Sequence, residues 1–188
     1  MFAGSATIAT TTRPAATEED LRATPRDGLK YELVDGHIRV SPAGYRHGQV
    51  CWKLGGRLHA FLQEHPVGHG VDSSTGFRLP GGNVRVPDVA FMAKGRFANE
   101  RGPVGFSDLV PDLAVEVLSP DDRSRDVLDK VGEYLEAGVP LVWVIDPERR
   151  TAAVYRSMTD VRRLGADEFL DGEDVLPGFR CRLADAID

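Results

Sequence analysis

The stretch "VRVPDVAF" (residues 84–91) places an aspartate, Asp88, in the middle of an apolar run. The stretch "PDLAVEVLSP" (111–120) does the same with a glutamate, Glu116. A strand interior is an unfavourable place for a carboxylate, because burying an unpaired charge is costly. Two such strands in one chain therefore indicate a site that uses both carboxylates.

Patterns around these two stretches predict an α/β (α+β) fold. The segment "YELVDGHIRV" (31–40) is typical of an N-terminal β-hairpin, because its Asp-Gly pair is a preferred two-residue turn. Apolar residues at helical spacing predict one helix over 45–65 and another over 123–138. Buried strands at 112–119 and 141–146 would form a βαβ unit with the second helix. We therefore expect a mixed central β-sheet flanked by helices.

Weaker signals predict the remaining elements. A capping-box pattern begins a short helix, and turn-forming residues separate the further strands. Residues 93–110 have no hydrophobic period and are predicted to form a long loop, a kind of segment that is often functional. The other predicted elements are a helix over 18–25, strands over 71–79, 84–92 and 151–156, and short strands near 168–170 and 179–183.

Length and composition indicate one cytoplasmic domain. The 188 residues suit a single domain over 15–188, preceded by a flexible N-terminal tail over 1–14. No apolar run is long enough to span a membrane. The two cysteines, Cys51 and Cys181, are far apart in the sequence, which fits a reducing compartment. The net charge of −6 argues against nucleic acid as a partner, unless a bound cation supplies positive charge locally.

Asp88 and Glu116 are the candidate metal ligands. Carboxylates at comparable depth on neighbouring strands can share one ion, whereas Asp112 lies roughly 13 Å from Glu116 along the same strand and is interpreted as a turn cap. Oxygen ligands without a thiolate cluster predict a hard cation, Mg²⁺ or Mn²⁺, which promotes phosphodiester hydrolysis. The alternatives are a strand-end turn for Asp88 and an edge-strand carboxylate or buried ion pair for Glu116.

Basic residues near these carboxylates would balance the charge that develops during hydrolysis. Lys130 is the candidate lysine, because it lies at the border of the apolar stripe on the helix after the Glu116 strand. Its alternative is a solvated lysine paired with Asp126. Arg123 and Arg125 are candidate phosphate contacts, because guanidinium groups bind phosphate through two hydrogen bonds. A solvated helix start is an equal alternative for both arginines.

Taken together, these segments resemble the Uma-two family of restriction-endonuclease-like proteins, within the PD-(D/E)xK nuclease superfamily. The resemblance implies a restriction-endonuclease-like fold, in which Pro87 and Asp88 are the "PD" pair and Glu116 is the next acidic residue. The superfamily's lysine two positions later is replaced by Leu118, and in this family the following helix supplies it, which fits Lys130. The matching segments are "YELVDGHIRVSP", the helix beginning near His47, "VRVPDVAF", "PDLAVEVLSP", "RDVLDKVGEYLEAGVPLVWVIDP" and "DVLPGF".

The resemblance also adds two residues to the candidate site. It makes Glu32 a catalytic residue, whereas the residue pattern alone favours a hairpin carboxylate that faces solvent. It makes His47 a contact of substrate phosphate or of the attacking water, against the alternative of a structural or solvated histidine. Tyr134 lies on the helix face of Lys130 and could line the site, although packing in the core is the preferred interpretation.

The predicted function is metal-dependent hydrolysis of phosphodiester bonds in DNA by an endonuclease. Asp88 and Glu116 would bind Mg²⁺ or Mn²⁺, and Lys130 and Glu32 would complete the catalytic residues. Two alternatives stay open: an inactive module that binds nucleic acid or a protein partner, and a hydrolase of small phosphodiesters. Metal binding separates them, because an inactive module need not bind the ion. By analogy, a homodimer is expected.

Overall fold

The computed structural model describes residues 14–41 and 44–188, so the predicted tail over 1–14 lies outside the described residues except for Pro14. The helices are α1 (Glu18–Arg22), α2 (Tyr45–Glu64), α3 (Ser124–Glu136) and α4 (Leu183–Ile187). The strands are β1 (Lys30–Val34), β2 (His37–Ser41), β3 (Gly68–Asp72), β4 (Phe77–Arg78), β5 (Val84–Arg85), β6 (Val89–Ala93), β7 (Leu113–Val117), β8 (Leu141–Asp146), β9 (Thr151–Tyr155), β10 (Val161–Gly165), β11 (Phe169–Asp171) and β12 (Arg180–Arg182). Within the described ranges, no helix has both the length and the apolar character that a membrane span requires.

The N-terminal hairpin is confirmed. β1 and β2 pair antiparallel, and Val34 is opposite His37, so only Asp35 and Gly36 form the turn. Both turn residues have positive φ, 49° at Asp35 and 70° at Gly36, which is typical of a type I′ turn. The Asp-Gly pair adopts this turn readily because glycine has no Cβ and aspartate tolerates the left-handed region.

Each of the strands predicted over 71–79 and 84–92 is divided in two. In the second, Val86, Pro87 and Asp88 separate β5 from β6, and proline has no N–H to donate to a strand ladder. β5 pairs with β1 and β4, whereas β6 pairs with β3 and β7. The chain therefore passes from one sheet to another here, which places Asp88 where the two sheets meet.

The larger sheet has six strands in the order β10-β9-β8-β7-β6-β3. It is mixed, as predicted: β7 and β8 are parallel and the other neighbours are antiparallel. Alternate residues of a strand face opposite layers. Val115 of β7 packs in one core with α2 and α4, whereas Ala114 packs in a second core with Val131 and Tyr134 of α3. The sheet is thus flanked by helices on both faces, and Glu116 shares the α3 face with Ala114.

Three differences from the sequence prediction have local causes. β10 was not predicted because Leu164 is its one buried residue, so the strand has no alternating pattern. α4 was not predicted because its five residues are too few to show a helical period. α1 ends at Arg22, before the predicted end, since Pro25 disfavours helical geometry in the residue before it. The predicted loop contains one short 3₁₀ turn, Ala98–Glu100.

Candidate active site

Asp88 and Glu116 face each other at the junction of β6 and β7. Val89 is opposite Val115 in this antiparallel pair, so the register places Asp88 opposite Glu116. The Asp88 N–H donates to the Val115 carbonyl oxygen over 2.9 Å, and the Val117 N–H donates to Asp88 Oδ2 over 2.8 Å. These two hydrogen bonds hold the Asp88 carboxylate against the end of β7.

Lys30, the first residue of β1, contacts both of these carboxylates. Its Nζ lies 2.7 Å from Asp88 Oδ1 and 3.8 Å from Glu116 Oε2. The exposed fraction of the side chain is 13% for Lys30, 2% for Asp88 and 9% for Glu116. One ammonium group, from the N-terminal hairpin, therefore compensates two nearly buried carboxylates of the central sheet.

Lys130 reaches Glu116 from α3. Its Nζ lies 2.9 Å from Glu116 Oε2 and 2.9 Å from Glu32 Oε1. Tyr134 donates its hydroxyl proton to Glu116 Oε1 over 2.8 Å. The spacing of four residues brings Lys130 and Tyr134 to the same face of the helix. Tyr134 therefore packs in the core, as preferred from the sequence, and also contacts the site.

Glu32 is the third carboxylate of the cluster. Its Oε1 accepts the Val86 N–H over 2.7 Å, and its Oε2 accepts a hydrogen bond from Arg85 Nη1 over 3.2 Å. Arg85 is itself buried, and its Nε also donates to Glu133 of α3 over 2.8 Å. This network connects the N-terminal hairpin, β5 and α3 around the carboxylates.

His47 approaches Asp88 from the first turn of α2. Its Nε2 lies 3.0 Å from Asp88 Oδ2. One helical turn later, the sulfur of Cys51 lies 3.6 Å from His47 Nδ1. Asp88 thus has Lys30 on its Oδ1 side and His47 on its Oδ2 side.

The three carboxylates differ in ionisation although all are buried. Burial opposes ionisation of Asp88, but the hydrogen bond with its histidine partner and the charge of Lys30 outweigh it and hold the Asp88 pKa well below its usual value. Burial also opposes ionisation of Glu32, where the charges of Lys130 and Lys30 prevail and lower the pKa. For Glu116 burial prevails, reinforced by the charges of Asp88 and Glu32, and the pKa is raised. Glu116 is therefore the carboxylate of this site that binds a proton most readily.

The carboxylates of this cluster have the ligand chemistry that a hard divalent cation prefers. The three carboxylates supply only oxygen ligands, which Mg²⁺ and Mn²⁺ prefer. The Lys30 ammonium group already places one positive charge against two of them. The two lysines offset two of the three negative charges, while Arg85 divides its charge between Glu32 and Glu133. A buried negative charge that is incompletely balanced favours the binding of a proton or a cation.

Arg123 and Arg125, the predicted phosphate contacts, lie at the start of α3. Both are exposed. The Nε of Arg125 lies 3.7 Å from Oδ2 of Asp129, and 90% of the Arg125 side chain is accessible to solvent. Within the described part of the chain, neither arginine contacts one of the three carboxylates. Both side chains are accessible from solvent.

Two further residues from the sequence analysis lie outside the carboxylate cluster. Leu118, at the position of the superfamily's lysine, is partly buried against the core on the α3 side of the sheet. Asp112 accepts the Ala93 N–H over 2.7 Å and pairs with Arg96. Asp112 therefore joins the start of β7 to the end of β6 and to Arg96, outside the carboxylate cluster.

Lys30 and Arg85 were missed in the sequence analysis. A signal existed for Lys30: it stands two positions before Glu32, and alternation along a strand puts both side chains on one face. Arg85 has no comparable signal, because nothing in its neighbourhood distinguishes a buried arginine from an exposed one. Its burial follows from the packing of β5 against β1 and α3.

Comparisons with known proteins agree with this fold. The fold is similar to that of a "putative nuclease belonging to DUF820" from Anabaena variabilis ATCC 29413, with a TM-score of 0.76 and 19% identity over 91% of this chain and 97% of that one. A weaker similarity, to DrdV in a complex with DNA, has a TM-score of 0.35 and 12% identity over 62% of this chain and 12% of that one, and carries no argument. No curated protein matches the sequence significantly. The predicted restriction-endonuclease-like fold is confirmed.

The sequence itself matches a family model over nearly its whole length. The model is that of the Uma2 (Uma-two) family, described as "Putative restriction endonuclease", and the match covers residues 18–184. This range includes every residue of the carboxylate cluster, from Lys30 to Tyr134. The chain therefore belongs to the Uma2 family.

Proposed function

We propose that the protein is a metal-dependent endonuclease that hydrolyses phosphodiester bonds in DNA. The observation that carries this proposal is the pair of buried carboxylates, Asp88 immediately before β6 and Glu116 on the neighbouring β7, with the Lys30 ammonium group in contact with both. The description of the Uma2 family supports a nuclease-like function. We further propose that the site is of the PD-(D/E)xK type, with Lys130 in place of the lysine that Leu118 replaces.

Asp88 and Glu116 are the residues that would hold Mg²⁺ or Mn²⁺. Such a cation, when bound, polarises the phosphoryl group and lowers the pKa of an attacking water. Lys30 supplies the competing positive charge, so the affinity of the carboxylates for the ion depends on this residue. Val117 and Tyr134 keep the two carboxylates in place through hydrogen bonds to Asp88 and Glu116.

The other site residues have roles that their contacts support. Lys130, held between Glu116 and Glu32, would stabilise the negative charge that develops on the phosphate. Glu32 would fix the Lys130 ammonium group and balance its charge. His47 would contact a substrate phosphate or the attacking water from the side of α2. Arg123 and Arg125, exposed at the start of α3, would contact phosphates of the DNA backbone.

One alternative substrate is favoured by a specific observation. The net charge of −6 suits small phosphodiesters better than duplex DNA, whose binding normally requires a basic surface. The inactive module is the other alternative, since Lys30 and Lys130 compensate most of the carboxylate charge without any ion. A homodimer stays a prediction, checked by the mass of the protein in solution.

Cleavage of a supercoiled plasmid in the presence of Mn²⁺ or Mg²⁺ tests the proposal. We expect nicked or linear products from the wild type, and none from Asp88→Asn or Glu116→Gln. Asp112→Asn is the matched control, because Asp112 lies outside the cluster and an asparagine can still accept the Ala93 N–H. Cleavage of bis(p-nitrophenyl) phosphate without cleavage of plasmid would favour the small-diester hydrolase. A folded protein that binds neither ion would favour the module.

A further inference from the structure

Asp88 has two further metal-ligating side chains on its Oδ2 side. His47 and Cys51 are four residues apart on α2, so their side chains lie on one face of the helix. The sulfur of Cys51 lies 3.6 Å from His47 Nδ1, and His47 Nε2 lies 3.0 Å from Asp88 Oδ2. One ligand atom from each of His47, Cys51 and Asp88 can be chosen so that all three lie within 4.8 Å of one another.

These separations are close to those of a zinc site. Zinc bonds of about 2.0–2.3 Å in tetrahedral geometry place neighbouring ligand atoms about 3.3–3.8 Å apart. His47 can bind the ion through Nε2, which lies 4.0 Å from the Cys51 sulfur and 3.0 Å from Asp88 Oδ2, so small movements of the three side chains bring the ligand atoms to these separations. We propose that His47, Cys51 and Asp88 form a second cation site, which binds Zn²⁺ through sulfur, nitrogen and oxygen and leaves a fourth position for water.

The ligand types separate this site from the hard-cation site. Thiolate and imidazole ligands favour Zn²⁺ and related transition metals, whereas Mg²⁺ favours oxygen. The two sites share Asp88: Oδ1 faces Lys30 and Glu116, and Oδ2 faces His47. A cation bound to His47 and Cys51 therefore competes with an ion at the other site for the carboxylate of Asp88.

The same three residues could be interpreted as a nucleophilic triad of cysteine, histidine and aspartate. The surroundings of the thiol argue against it. Burial, together with the charge of Asp88, raises the pKa of Cys51 to about 12, whereas nucleophilic cysteines have lowered pKa values. A bound metal ion displaces the thiol proton to solvent, so zinc binding by this site releases protons.

The proposed site has a consequence for catalysis, and this consequence alone rests on the proposed function. With Zn²⁺ bound, the charge of Asp88 is partly neutralised and a second divalent ion is repelled. We therefore expect Zn²⁺ to inhibit cleavage that Mg²⁺ supports. The binding of Zn²⁺ itself is independent of any nuclease activity.

Titration of the reduced, chelator-treated full chain with Co²⁺ tests the site directly. A thiolate ligand to Co²⁺ gives a near-ultraviolet charge-transfer band, and the chain offers a matched pair of variants because it has two cysteines. We expect the band in the wild type and in Cys181→Ser, and its loss in Cys51→Ser. In a competition assay with a chromophoric chelator, Cys51→Ser should bind Zn²⁺ more weakly by about tenfold or more. Replacing a residue that only hydrogen-bonds to a metal ligand already weakens metal binding by about that factor.

Two outcomes would overturn the proposal: no charge-transfer band in the wild type, or a band that persists in Cys51→Ser. A second experiment uses the wild type alone, so its result does not depend on whether the Cys51→Ser variant folds. Zn²⁺, and not Mg²⁺, should slow alkylation of Cys51 by iodoacetamide, as followed by peptide mass spectrometry. Equal alkylation rates with both ions would also contradict the site. Loss of plasmid cleavage, by contrast, would concern the proposed function and not the binding of Zn²⁺.

Discussion

The Nζ of Lys30 lies 2.7 Å from Oδ1 of Asp88, although 58 positions separate the two residues in the sequence. Burial opposes the charged form of Lys30, but the charges of Glu116 and Asp88 outweigh it and raise the Lys30 pKa above 10.5. Its contribution to stability is therefore fully present below pH 10.5 and is lost as the pH rises through the raised value. Near neutral pH, Lys30 is a permanent positive charge beside the proposed metal ligands.

The first prediction is that Lys30→Met binds Mn²⁺ more tightly than the wild type does. Without the ammonium group, Asp88 and Glu116 keep more of their negative charge for the ion. The same change removes one partner from two buried carboxylates, so it should lower the free energy of unfolding by about 3–5 kcal/mol when no metal is present. Isothermal titration calorimetry and chemical denaturation measure the two effects. Lys94→Met removes an exposed positive charge and is the control; equal or weaker Mn²⁺ affinity in Lys30→Met would contradict the role of Lys30.

The second prediction concerns Lys130, whose Nζ contacts Glu116 and Glu32 at 2.9 Å. Lys130→Met should abolish plasmid cleavage, because no ammonium group then faces the phosphate from α3. It should also destabilise the metal-free protein by about 3–5 kcal/mol, since two buried carboxylates lose a partner. Mn²⁺ should restore part of this stability by supplying positive charge. Cleavage by a folded Lys130→Met protein at the rate of the wild type would reduce Lys130 to a structural residue.

Much of this site could be predicted because its residues stand out locally. Asp88 and Glu116 interrupt apolar runs, and a carboxylate in such a place calls for an explanation in any sequence. The Asp35-Gly36 turn and the helices are equally local, since they follow from turn chemistry and from hydrophobic period.

Other parts depend on contacts between distant segments. Arg85 is buried because β5 pairs with β1, and the register of that pair cannot be deduced from the sequence of either segment alone. Lys30 is recognisable only once Glu32 is accepted as a site residue. The division of the strand predicted over 84–92 could have been expected from Pro87, but its consequence, a change of sheet at Asp88, is a property of the whole fold.

The third prediction concerns Tyr134, whose hydroxyl donates to Glu116 Oε1. Tyr134→Phe keeps the ring that packs in the core and removes this hydrogen bond. A hydrogen bond to a charged group contributes about 1.5–3 kcal/mol, so the free energy of unfolding should fall by about that much. The pKa of Glu116 should rise further, and Mn²⁺ should bind more weakly at pH 6. Tyr155→Phe, in β9 outside the cluster, is the control; a Mn²⁺ affinity unchanged by Tyr134→Phe would mean that the hydroxyl does not influence Glu116.

The fourth prediction concerns the exposed arginines at the start of α3. If Arg123 and Arg125 contact DNA phosphates, the double change to glutamine should weaken binding without changing sequence preference. In a plot of log affinity against log salt concentration, the magnitude of the negative slope should decrease by about 0.9 for each phosphate contact that is lost. Fluorescence anisotropy with a labelled duplex in Ca²⁺, which avoids cleavage, measures this slope. Arg163→Gln, on exposed β10, is the control; identical slopes in the wild type and the double variant would place the DNA elsewhere.

The last prediction joins pH and metal binding through Glu116, whose pKa is raised above 4.5 by burial and by Asp88 and Glu32. The native protein holds this proton more tightly than the unfolded chain does, so the contribution of Glu116 to stability falls as the pH rises from 4.5 through the raised value. The effect of pH on the contribution of Asp88 is opposite, because its pKa is lowered in the native protein. Asp88 contributes stability above pH 3.8, and this contribution is lost as the pH falls through the pKa of the folded state.

A divalent cation favours the ionised form of Glu116, so Mn²⁺ should raise the melting temperature more at pH 8 than at pH 6. A hundredfold excess of Mn²⁺ over its dissociation constant should stabilise the protein by about 2.7 kcal/mol. Differential scanning fluorimetry at both pH values measures the effect, and Asp129→Asn, an exposed carboxylate on α3, should behave as the wild type does. Glu116→Gln should lose the pH dependence because it has no proton to release. Stabilisation by Mn²⁺ that persists in the Asp88→Asn, Glu116→Gln double variant would place the ion outside the carboxylate pair, and the endonuclease proposal would lose its main support.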